Sequence, residues 1–416
     1  MKKTFYLLTV ILSVSVFIPA KALAFAEPQP ISVDTSGATT IKTVCSTGCD
    51  YNSLSAAASA SQAGWRIRVK AGQYSAFTWP SPNNSGTSSK PIVVEAYGDG
   101  KVYIDGGMRF NGEYIIVDGS SHSLPQIPQL VFDGKGFSER TIIFGYDQGT
   151  VGNHITLYRC EITGGILSAI VTDSNYNKIY NCLVHDTGTS HAIYLSHCEY
   201  CEVRNNIIRK FGKNGIQSNP HENKRTKILN TEISGNAIYD CGENGLTVLS
   251  GTGVEGLLDG LNITNNLIWG CGQNAMRFTG GGDYVGIIRN VSVYGNTFYG
   301  NIDNNHGVNG KNATTKLKNN IITGSVNNTG GFIEYSNNII GSTSSLASTT
   351  SSSSDFLKLK STASDCINKG ATGLGLTSDY FGNSRDSVPD IGAHEYGGGT
   401  APDTTPPAAP SGLMIR

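Results

Sequence analysis

A phrase that recurs along the middle of the chain limits its possible folds more than any other feature of the sequence. The phrase is an Asn-Asn-aliphatic motif or a variant of it, then a turn containing glycine, then a short apolar run, as in NNIIRKFGKNGIQSN from Asn205 and GNAIYDCGENGLTVL from Gly235. Its second position falls, at steps of 22, 24, 30, 30, 30, 24 and 18 residues, on Cys160, Cys182, Asn206, Asn236, Asn266, Asn296, Asn320 and Asn338. Spacings in this range indicate a stacked-repeat protein.

Each repeat contains short strand-like segments rather than a pair of amphipathic helices. Apolar residues alternate over a few positions between Gly and Asn, whereas helical repeats need apolar stripes at about 3.6-residue spacing. Because successive coils bury their inner faces by stacking as parallel strands, the sequence predicts an all-β fold, a single-stranded right-handed parallel β-helix. A propeller is disfavoured, since each blade needs about 40 residues. The repeated Asn suits a tight bend, and stacked Asn side chains can hydrogen-bond from coil to coil.

Charge and composition limit the possible partners. The net charge is −1 and 15% of the residues are charged, so the sequence shows no sign of the basic stripe that nucleic-acid-binding proteins usually carry. The 51 glycines fit a turn-rich solenoid. The repeats span so much of the chain that we expect one elongated domain and a monomer.

The first 26 residues have the features of a secretory signal peptide. A pair of lysines precedes an apolar stretch, which ends in three alanines at cleavage-like spacing. We therefore expect a mature chain that begins near Phe25 or Glu27 and is secreted, or lies at the cell surface or in the periplasm. No later segment is long and apolar enough to span a bilayer.

An exported chain can form disulfides, and the repeat register suggests which cysteines pair. Four pairs are candidates, two on neighbouring coils and two closing small loops: Cys160 with Cys182, Cys241 with Cys271, Cys45 with Cys49, and Cys198 with Cys201. Cys366 is left over. For the two stacked pairs, buried free thiols are an equally good interpretation, because stacking does not guarantee disulfide geometry. A metal site at His197, Cys198 and Cys201 is disfavoured, since a second Cys-x-x-Cys is missing.

Shifts in composition divide the chain into segments. We assign residues 1–26 to the signal peptide, 27–340 to the β-helix with an N-terminal cap at about 41–75, 341–354 to a Ser/Thr-rich low-complexity surface loop, 355–398 to a C-terminal closing module and 399–416 to a Pro/Thr-rich extended tail. The cap should contain a helix around Leu54 to Ala60. This helix would cover the open end of the first coil, where strand edges are otherwise unpaired.

The strand after the glycine turn of each coil forms a candidate groove. Five such strands align without gaps, at residues 170–172, 193–195, 216–218, 246–248 and 276–278. Because side chains alternate between the two faces of a strand, one outward column should comprise Val171, Tyr194, Gln217, Thr247 and Arg277. A second outward column, two positions later, should comprise Asp173, Ser196, Asn219, Leu249 and Thr279. Long loops from Pro220 and Ser250 should wall one side, and long loops on a rigid scaffold commonly carry function.

A row of Tyr, amide, His and Arg side chains suits a polyanionic sugar, because amides and Arg bind carboxylate oxygens while Tyr offers a stacking face and a hydroxyl. Elimination at a uronate needs a group that neutralises the carboxylate, a base and a proton donor. We expect Arg277 to neutralise the carboxylate, His221 to act as the base and Tyr194 to act as the proton donor. The expected substrate-binding residues are Gln217, Asn219, Lys213, His191 and Glu222. The structural alternative is that Arg277 pairs with an acid on a neighbouring coil.

Several segments resemble a known family. IRVKAGQYSAF (67–77), NSGTSSKPIVVEAYG (84–98) and VYIDG (102–106) resemble the opening of the polysaccharide lyases that include chondroitinase B and alginate lyases, in the pectin-lyase-like superfamily. NLIWGCGQNAMRFTGG from Asn266 is similar to the stretch of those lyases that ends in a catalytic Arg, which implies that role for Arg277. Those lyases also place a Lys and two acidic calcium ligands in the preceding coil, where this chain has GLTVLSGTG (245–253). Calcium is therefore the one cofactor that the resemblance suggests, and the sequence supplies no run of ligands for it and no other metal site.

Two further resemblances bear on function. SNPHE (218–222) resembles the Asp-Pro-His motif of mannuronan C5-epimerases, with Asn219 in place of the Asp. Residues 355–398 are similar to the closing module of many secreted bacterial β-helix proteins, and the tail resembles a linker to a fibronectin type III or anchoring module. The leading hypothesis is a secreted β-helix protein that binds and processes an acidic polysaccharide by lyase-type β-elimination. The alternatives are a noncatalytic carbohydrate-binding or structural solenoid at the cell surface, and a uronate C5-epimerase.

Overall fold

The computed structural model describes residues 25–80, 83–120, 128–135, 139–145, 152–220, 227–249, 251, 256–279, 286–305, 315–331 and 334–398. The elements in these ranges begin with β1 Thr40–Val44, α1 Leu54–Ala60, β2 Trp65–Val69, β3 Gly72–Ser75, β4 Thr78–Trp79, β5 Ile92–Ala96, β6 Val102–Asp105, β7 Met108–Phe110, β8 Ile115–Asp118, β9 Leu130–Gly134, β10 Ile142–Phe144, β11 Ile155–Tyr158 and β12 Glu161–Gly164. The middle of the chain contains β13 Ser168–Asp173, β14 Lys178–Tyr180, β15 Leu183–His185, β16 His191–Glu199, β17 Glu202–Arg204, β18 Ile207–Phe211, β19 Ile216–Ser218, β20 Lys227–Leu229, β21 Glu232–Ser234, β22 Ala237–Cys241, β23 Asn244–Leu249 and β24 Leu257–Asp259. The last strands are β25 Asn262–Thr264, β26 Leu267–Trp269, β27 Asn274–Thr279, β28 Ile287–Arg289, β29 Val291–Tyr294, β30 Thr297–Tyr299, β31 Ile302–Asn304, β32 Thr315–Lys318, β33 Ile321–Ile322, β34 Val326–Asn327, β35 Glu334–Ser336 and β36 Ile339–Ile340.

These strands form three long parallel sheets that run along the molecule. Sheet 1 has the order β1-β2-β5-β8-β11-β14-β17-β21-β25-β29-β32-β35, and sheet 3 has the order β3-β6-β9-β12-β15-β18-β22-β26-β30-β33-β36. The groove sheet has the order β34-β31-β27-β23-β19-β16-β13-β10-β7-β4, with β20, β24 and β28 attached beside β16. Each coil thus contributes one strand to each sheet in turn, which is a parallel β-helix. The predicted fold class is confirmed.

The capping helix also lies where the sequence placed it. Ser53 caps α1 by accepting a hydrogen bond from the backbone N–H of Ala56 at 3.2 Å, and a serine in this position stabilises a helix start. Leu54, Ala57 and Ala58 are buried in the core of the solenoid. The helix therefore covers the first coil with its apolar face.

The recurring Asn-Asn phrase performs two separate tasks. Its first residue adopts a left-handed backbone, with φ of 57° at Asn205 and 53° at Asn265, where Asn and Gly are the favoured residues. Its second residue points inward and donates its side-chain amide to the next coil, as from Asn236 to Asn266 at 2.9 Å. This Asn ladder, which we call the core ladder, is continuous through Asn206, Asn236, Asn266, Asn296, Asn320 and Asn338.

Three of the four candidate disulfides are present, and they are Cys45–Cys49, Cys198–Cys201 and Cys241–Cys271. The pairing of Cys160 with Cys182 is wrong, because both are buried free thiols, as is Cys366. The Sγ atoms of Cys160 and Cys182 each lie 3.4 Å from the carbonyl oxygen two residues earlier, at Tyr158 and Tyr180. They occupy the position that the core-ladder asparagines fill in later coils, and the Cys160 Sγ also lies 3.6 Å from the Val117 carbonyl oxygen of the previous coil.

Both ends of the described chain pack against sheet 3. Residues of the C-terminal module, among them Phe356 and Tyr380, share an apolar cluster with Tyr239 and Trp269 on the outer face of that sheet. The Ser/Thr-rich segment 341–354 is mostly exposed, and its Leu346 is buried in the same cluster.

The N-terminal segment lies beside the module. Phe25 packs edge-on against Tyr239 and Trp269, and the carbonyl of Gln29 accepts hydrogen bonds from Asn181 and Asn205 at 2.8 and 2.7 Å. No helix among the described residues is long and apolar enough to cross a membrane.

Candidate functional site

The groove lies on the outer face of the groove sheet and has a volume of about 410 Å³. The coil register that the sequence predicts is the one the structure shows: Tyr194 pairs with Gln217, Gln217 with Thr247, and Thr247 with Arg277. These residues therefore form one outward column across four strands. The groove is lined by His191, Tyr194, Lys213, Asn214, Gln217, Asn219, Glu243, Asn244, Thr247, Leu249, Arg277 and Thr279.

The structure brings six of the eight expected site residues into this groove, namely His191, Tyr194, Lys213, Gln217, Asn219 and Arg277. His221 and Glu222 lie outside the described residues. The prediction of the second outward column is correct for Asn219, Leu249 and Thr279 but wrong for its first two members, Asp173 and Ser196. The register shifts after Thr172, so that Asp173 pairs with His197 instead of Ser196. The extra residue in β16 moves Ser196 out of line with the groove.

The spacing of the strands separates two of the expected catalytic residues. Tyr194 and Arg277 lie on β16 and β27, which are three strand steps apart. At about 4.8 Å per step, their backbones are about 14 Å apart. Groups that act on one bond must lie within hydrogen-bond distance of the reacting atoms. Tyr194 and Arg277 therefore face different parts of a chain that lies along the groove.

Tyr194 belongs to a small polar cluster at one end of the groove. The Asn219 amide donates to the Tyr194 hydroxyl at 3.3 Å, and the backbone N–H of Gly251 donates to Asn219 Oδ1 at 3.2 Å. The His191 ring lies 5.7 Å from the Tyr194 ring. Burial and the charge of Lys213 lower the pKa of His191 to about 4, so its imidazole is neutral at pH 7. Its Nδ1 is buried and has no hydrogen-bond partner among the described residues.

Arg277 lies at the other end and has the structural partner that the sequence allowed. Its Nε is 3.5 Å from Asp303 Oδ2 on the next strand, and Asn327 donates to the other oxygen of that carboxylate at 2.7 Å. The Arg277 side chain is 33% exposed and faces the groove. An ion pair at this exposure contributes little stability, because solvent screens it. Arg277 can thus bind an anionic ligand while Asp303 orients it.

A second row of amides beneath the groove was missed by the sequence reasoning. The side chain of Asn274 donates to Asn244 and that of Asn244 to Asn214, each at 3.0 Å, and Asn214 donates to Gln217 Oε1 at 2.8 Å. We call this row the groove ladder. The signal for it is the recurrence of Gly-x-Asn at residues 212–214, 242–244 and 272–274.

Calcium is the ion that the family resemblance suggests for the groove. Within the ranges that the structure describes, no group of three or more His, Cys, Asp or Glu side chains lies close enough to hold a metal ion. Calcium prefers six to eight oxygen ligands, several of them carboxylates. In the groove the described acidic side chains are Glu243, and Asp303 behind Arg277. The described residues therefore do not fit a calcium site, and no chemical step is assigned to the ion.

Comparisons with known proteins agree with this architecture. Residues 110–257 match the family model for the right-handed β-helix region. No curated protein sequence matches the chain. The solved structure of pectate lyase Pel9A is 16% identical, with 86% of this chain and 98% of that chain covered and a TM-score of 0.51. The PL6-family alginate lyase AlyGC is 14% identical, with 68% and 49% covered and a TM-score of 0.43.

A third similar structure is a mannuronic acid-specific family 6 polysaccharide lyase from human gut microbiota, which is 15% identical, with 70% of this chain and 84% of that chain covered and a TM-score of 0.38. Identities this low define a shared fold only. The chain therefore has a right-handed parallel β-helix fold, as its repeats predict.

Proposed function

We propose that the protein binds an acidic polysaccharide along the groove and cleaves it by β-elimination at a uronate residue. The observation that carries this proposal is the lining of the groove, which is polar or charged at every position except Leu249 and includes the cations Lys213 and Arg277. Amide, hydroxyl and cationic side chains hydrogen-bond to hydroxyl and carboxylate groups. An extended sugar chain, rich in both groups, would pair with them.

The shape and charge of the groove support this class of ligand. The groove runs across four strands, long enough for several sugar units, and Lys213 and Arg277 lie near its two ends. Tyr194 adds a ring and a hydroxyl, which suit a sugar ring. Pel9A, which shares the fold, acts on pectate, an acidic polysaccharide.

We place the reaction beside Tyr194. A base removes the proton next to the uronate carboxylate, the electron pair forms a C=C bond, and the bond to the glycosidic oxygen breaks as that oxygen takes a proton. Lys213 would neutralise the carboxylate and Tyr194 would protonate the leaving oxygen. The sequence predicts His221 as the base; among the described residues, the neutral His191 is able to accept the proton. Arg277, about 14 Å away, would bind a second carboxylate of the same chain.

The test is to incubate the protein with alginate, pectate and chondroitin sulfate, with and without calcium, and to follow the ultraviolet absorbance of newly formed unsaturated uronate. Tyr194→Phe should lower kcat about a hundredfold, because it removes the proton donor. Tyr176→Phe is the matched control, since Tyr176 is an exposed tyrosine outside the groove. Absence of the product on all three polymers would count against the lyase, and an unchanged kcat in Tyr194→Phe would count against the assignment of the donor.

Arg277 offers an independent check within the same assay. Arg277→Ala should raise KM about tenfold and leave kcat within about threefold, because the side chain binds a remote part of the substrate. Arg289→Ala is the matched control. Arg289 also pairs with an aspartate one strand away, at 2.8 Å to Asp259, but does not line the groove. Equal effects of the two substitutions would contradict a ligand-binding role for Arg277.

A noncatalytic carbohydrate-binding solenoid is the second candidate. Two observations favour it: Arg277 has a structural partner in Asp303, and residues 245–249 supply no Lys or acid to the groove. Such a protein would bind a labelled polysaccharide without producing unsaturated uronate. The epimerase hypothesis depends on His221, which lies outside the described residues. It predicts inversion at C5 of uronate residues, measured by NMR, with no gain in absorbance.

We also propose that the protein is exported. Three disulfides support this, because disulfides persist mainly in oxidising compartments. Fractionation of cells that express the full chain should recover it outside the cytoplasm, with its first 24 or 26 residues removed. Recovery of the unprocessed chain in the cytoplasm would contradict the proposal.

A further inference from the structure

The groove ladder has a direction. Two of its side-chain bonds donate toward the N-terminal coils, from Asn274 to Asn244 and from Asn244 to Asn214, and the third runs from Asn214 to Gln217 within one coil. A side-chain amide has one acceptor oxygen and one donor NH₂ group. Because the oxygen of Gln217 is engaged by Asn214, the NH₂ group is the end that Gln217 presents to the groove.

The ladder ends at Gln217 because the coil before Asn214 has a histidine, His191, at the ladder position. The pairing of Ile193 with Ile216 puts His191 opposite Asn214, so that an imidazole occupies the position that Asn fills in the next coils. Asn214 instead donates to Gln217 within its own coil. Asn214 and Asn244 are 4% and 1% exposed. Turning the Gln217 amide around would set two donor groups against each other in this buried place, which is unfavourable.

We propose that the groove ladder fixes Gln217 as a hydrogen-bond donor and makes the groove beside it a carboxylate subsite. This inference rests on the proposed function, in which the ligand is a uronate polymer. Lys213 lines the groove in the same coil and adds positive charge. Gln217 determines specificity, and Asn214 and Asn244 are positioning residues that act through it.

The next coil differs in a way that limits the subsite to Gln217. Glu243 follows Lys213 at the rim, where its backbone N–H donates to the Lys213 carbonyl at 2.8 Å, and Thr247 follows Gln217 in the column. A carboxylate beside Thr247 would meet the negative charge of Glu243. An uncharged hydroxyl of a sugar would not meet this repulsion.

The experiment is calorimetric titration with six-residue oligogalacturonate and oligomannuronate, and with the same oligomers after reduction of their carboxylates to alcohols. Gln217→Glu keeps an oxygen for Asn214 but replaces the groove-facing donor by an acceptor. It should weaken binding of the acidic oligomer at least thirtyfold and change binding of the neutral one less than threefold. Asn214→Ala, which frees the Gln217 amide to turn, should weaken acidic binding three- to tenfold.

Two variants are controls. Asn274→Ala removes only the far end of the ladder and should change neither affinity by more than twofold. Glu243→Gln removes a charge from the rim without touching the ladder, and should not weaken acidic binding. Thermal unfolding of each variant identifies any loss of folding. Because Gln217→Glu retains the bond to Asn214, its affinity for the acidic oligomer decides whether the carboxylate subsite exists.

The outcomes separate this inference from the proposed function. If the native protein binds an acidic oligomer and Gln217→Glu binds it equally well, the subsite is refuted and the proposed function stands. Equal losses for acidic and neutral oligomers would mean a structural role for Gln217 and would also refute the subsite. If the native protein binds neither acidic oligomer nor chondroitin sulfate, both the proposed function and the subsite are refuted.

Discussion

Four aromatic residues on successive coils adopt a left-handed backbone that bulky side chains rarely accept. Tyr114, His154, Tyr176 and Tyr200 have φ between 53° and 59°. Their rings stack with centroids 4.2, 4.6 and 5.3 Å apart and within 7° of parallel. Ring stacking contributes about 0.5–1.5 kcal/mol per pair beyond burial, which is similar to the cost of the left-handed backbone. At the scale of single residues, an unfavourable backbone is offset by a contact with the next coil.

The pH dependence of stability should reveal the burial of His191. Its pKa is about 4 in the folded protein, against about 6.5 in the unfolded chain, so the unfolded chain binds more protons between these values. Keeping His191 neutral costs the folded protein nothing above pH 6.5. As the pH falls from 6.5 toward 4, protonation of the unfolded chain lowers the stability of the fold. His191→Asn removes the titration and places an amide opposite Asn214. The variant should therefore gain stability relative to the native protein as the pH falls. We expect the difference in the free energy of unfolding, variant minus native, to be roughly 1–2 kcal/mol larger at pH 5 than at pH 7.5.

Denaturant titrations at the two pH values measure this difference. Other buried groups, such as His394, titrate equally in both proteins and cancel in the comparison. Identical pH profiles for the two proteins would show that His191 is not buried as the structure indicates.

At the scale of elements, the coils are joined by two amide ladders with different surroundings. The core ladder lies between sheets 1 and 3, and its members from Asn206 to Asn320 have no exposed surface. Each amide from Asn236 to Asn320 accepts from the backbone N–H and the side chain of the preceding Asn in the ladder and donates to the next. The groove ladder is shorter and ends at the ligand surface. The first therefore stabilises the stack, and the second orients a groove side chain.

Asn266→Ala should be strongly destabilising, because it removes the core acceptor of the Asn236 backbone N–H and of one N–H of the Asn236 side chain, and the side-chain donor to the Ile233 carbonyl. We expect a loss of about 3 kcal/mol or more in the free energy of unfolding, measured by denaturant titration. Asn338→Ala is the matched control at the half-buried end of the ladder and should cost about 1 kcal/mol. Equal losses at the two positions would contradict the dependence on burial.

At the scale of the whole molecule, the two ends of the described chain, residues 25–398, meet on sheet 3. The Tyr380 hydroxyl donates to the Ala26 carbonyl at 3.0 Å, and Phe25 contacts Tyr239 and Trp269 at centroid distances of 5.5 and 5.0 Å. Phe25 is 5% exposed. The structure thus uses Phe25 as part of the fold.

Phe25→Ala should lower the free energy of unfolding by about 3 kcal/mol, as for other buried phenylalanines. Ile41→Ala is the control, because Ile41 is a large apolar residue of β1 that is 50% exposed, and its loss should change stability by less than about 0.5 kcal/mol. Thermal unfolding of the two variants makes the comparison. If Phe25→Ala is as stable as the native protein, the N-terminal segment does not contribute to the fold.

The features that the sequence predicted correctly are the periodic ones. A constant step of 30 residues between Asn206 and Asn296 determines which residues face each other, so the pairing of Gln217 with Thr247 and of Thr247 with Arg277 could be read from spacing alone. The extra residue near Ser196 could not, because nothing in the sequence marks a bulge inside β16. The packing of Phe25 joins residues more than 200 positions apart without any repeat, and the burial of His191 depends on that three-dimensional surrounding.

The contact between Gln29 and Asn205 has a consequence for the order of folding. Contacts in the core ladder close loops of 18 to 30 residues, so coils can add to a growing stack one after another at a small entropic cost. The Gln29 carbonyl instead meets Asn205 across 176 positions, and Tyr380 meets Ala26 across 354. Neither contact has a binding surface until the coils between them have stacked. The N-terminal segment and the C-terminal module therefore pack onto sheet 3 late in folding. By then the strands of the groove sheet are already in register.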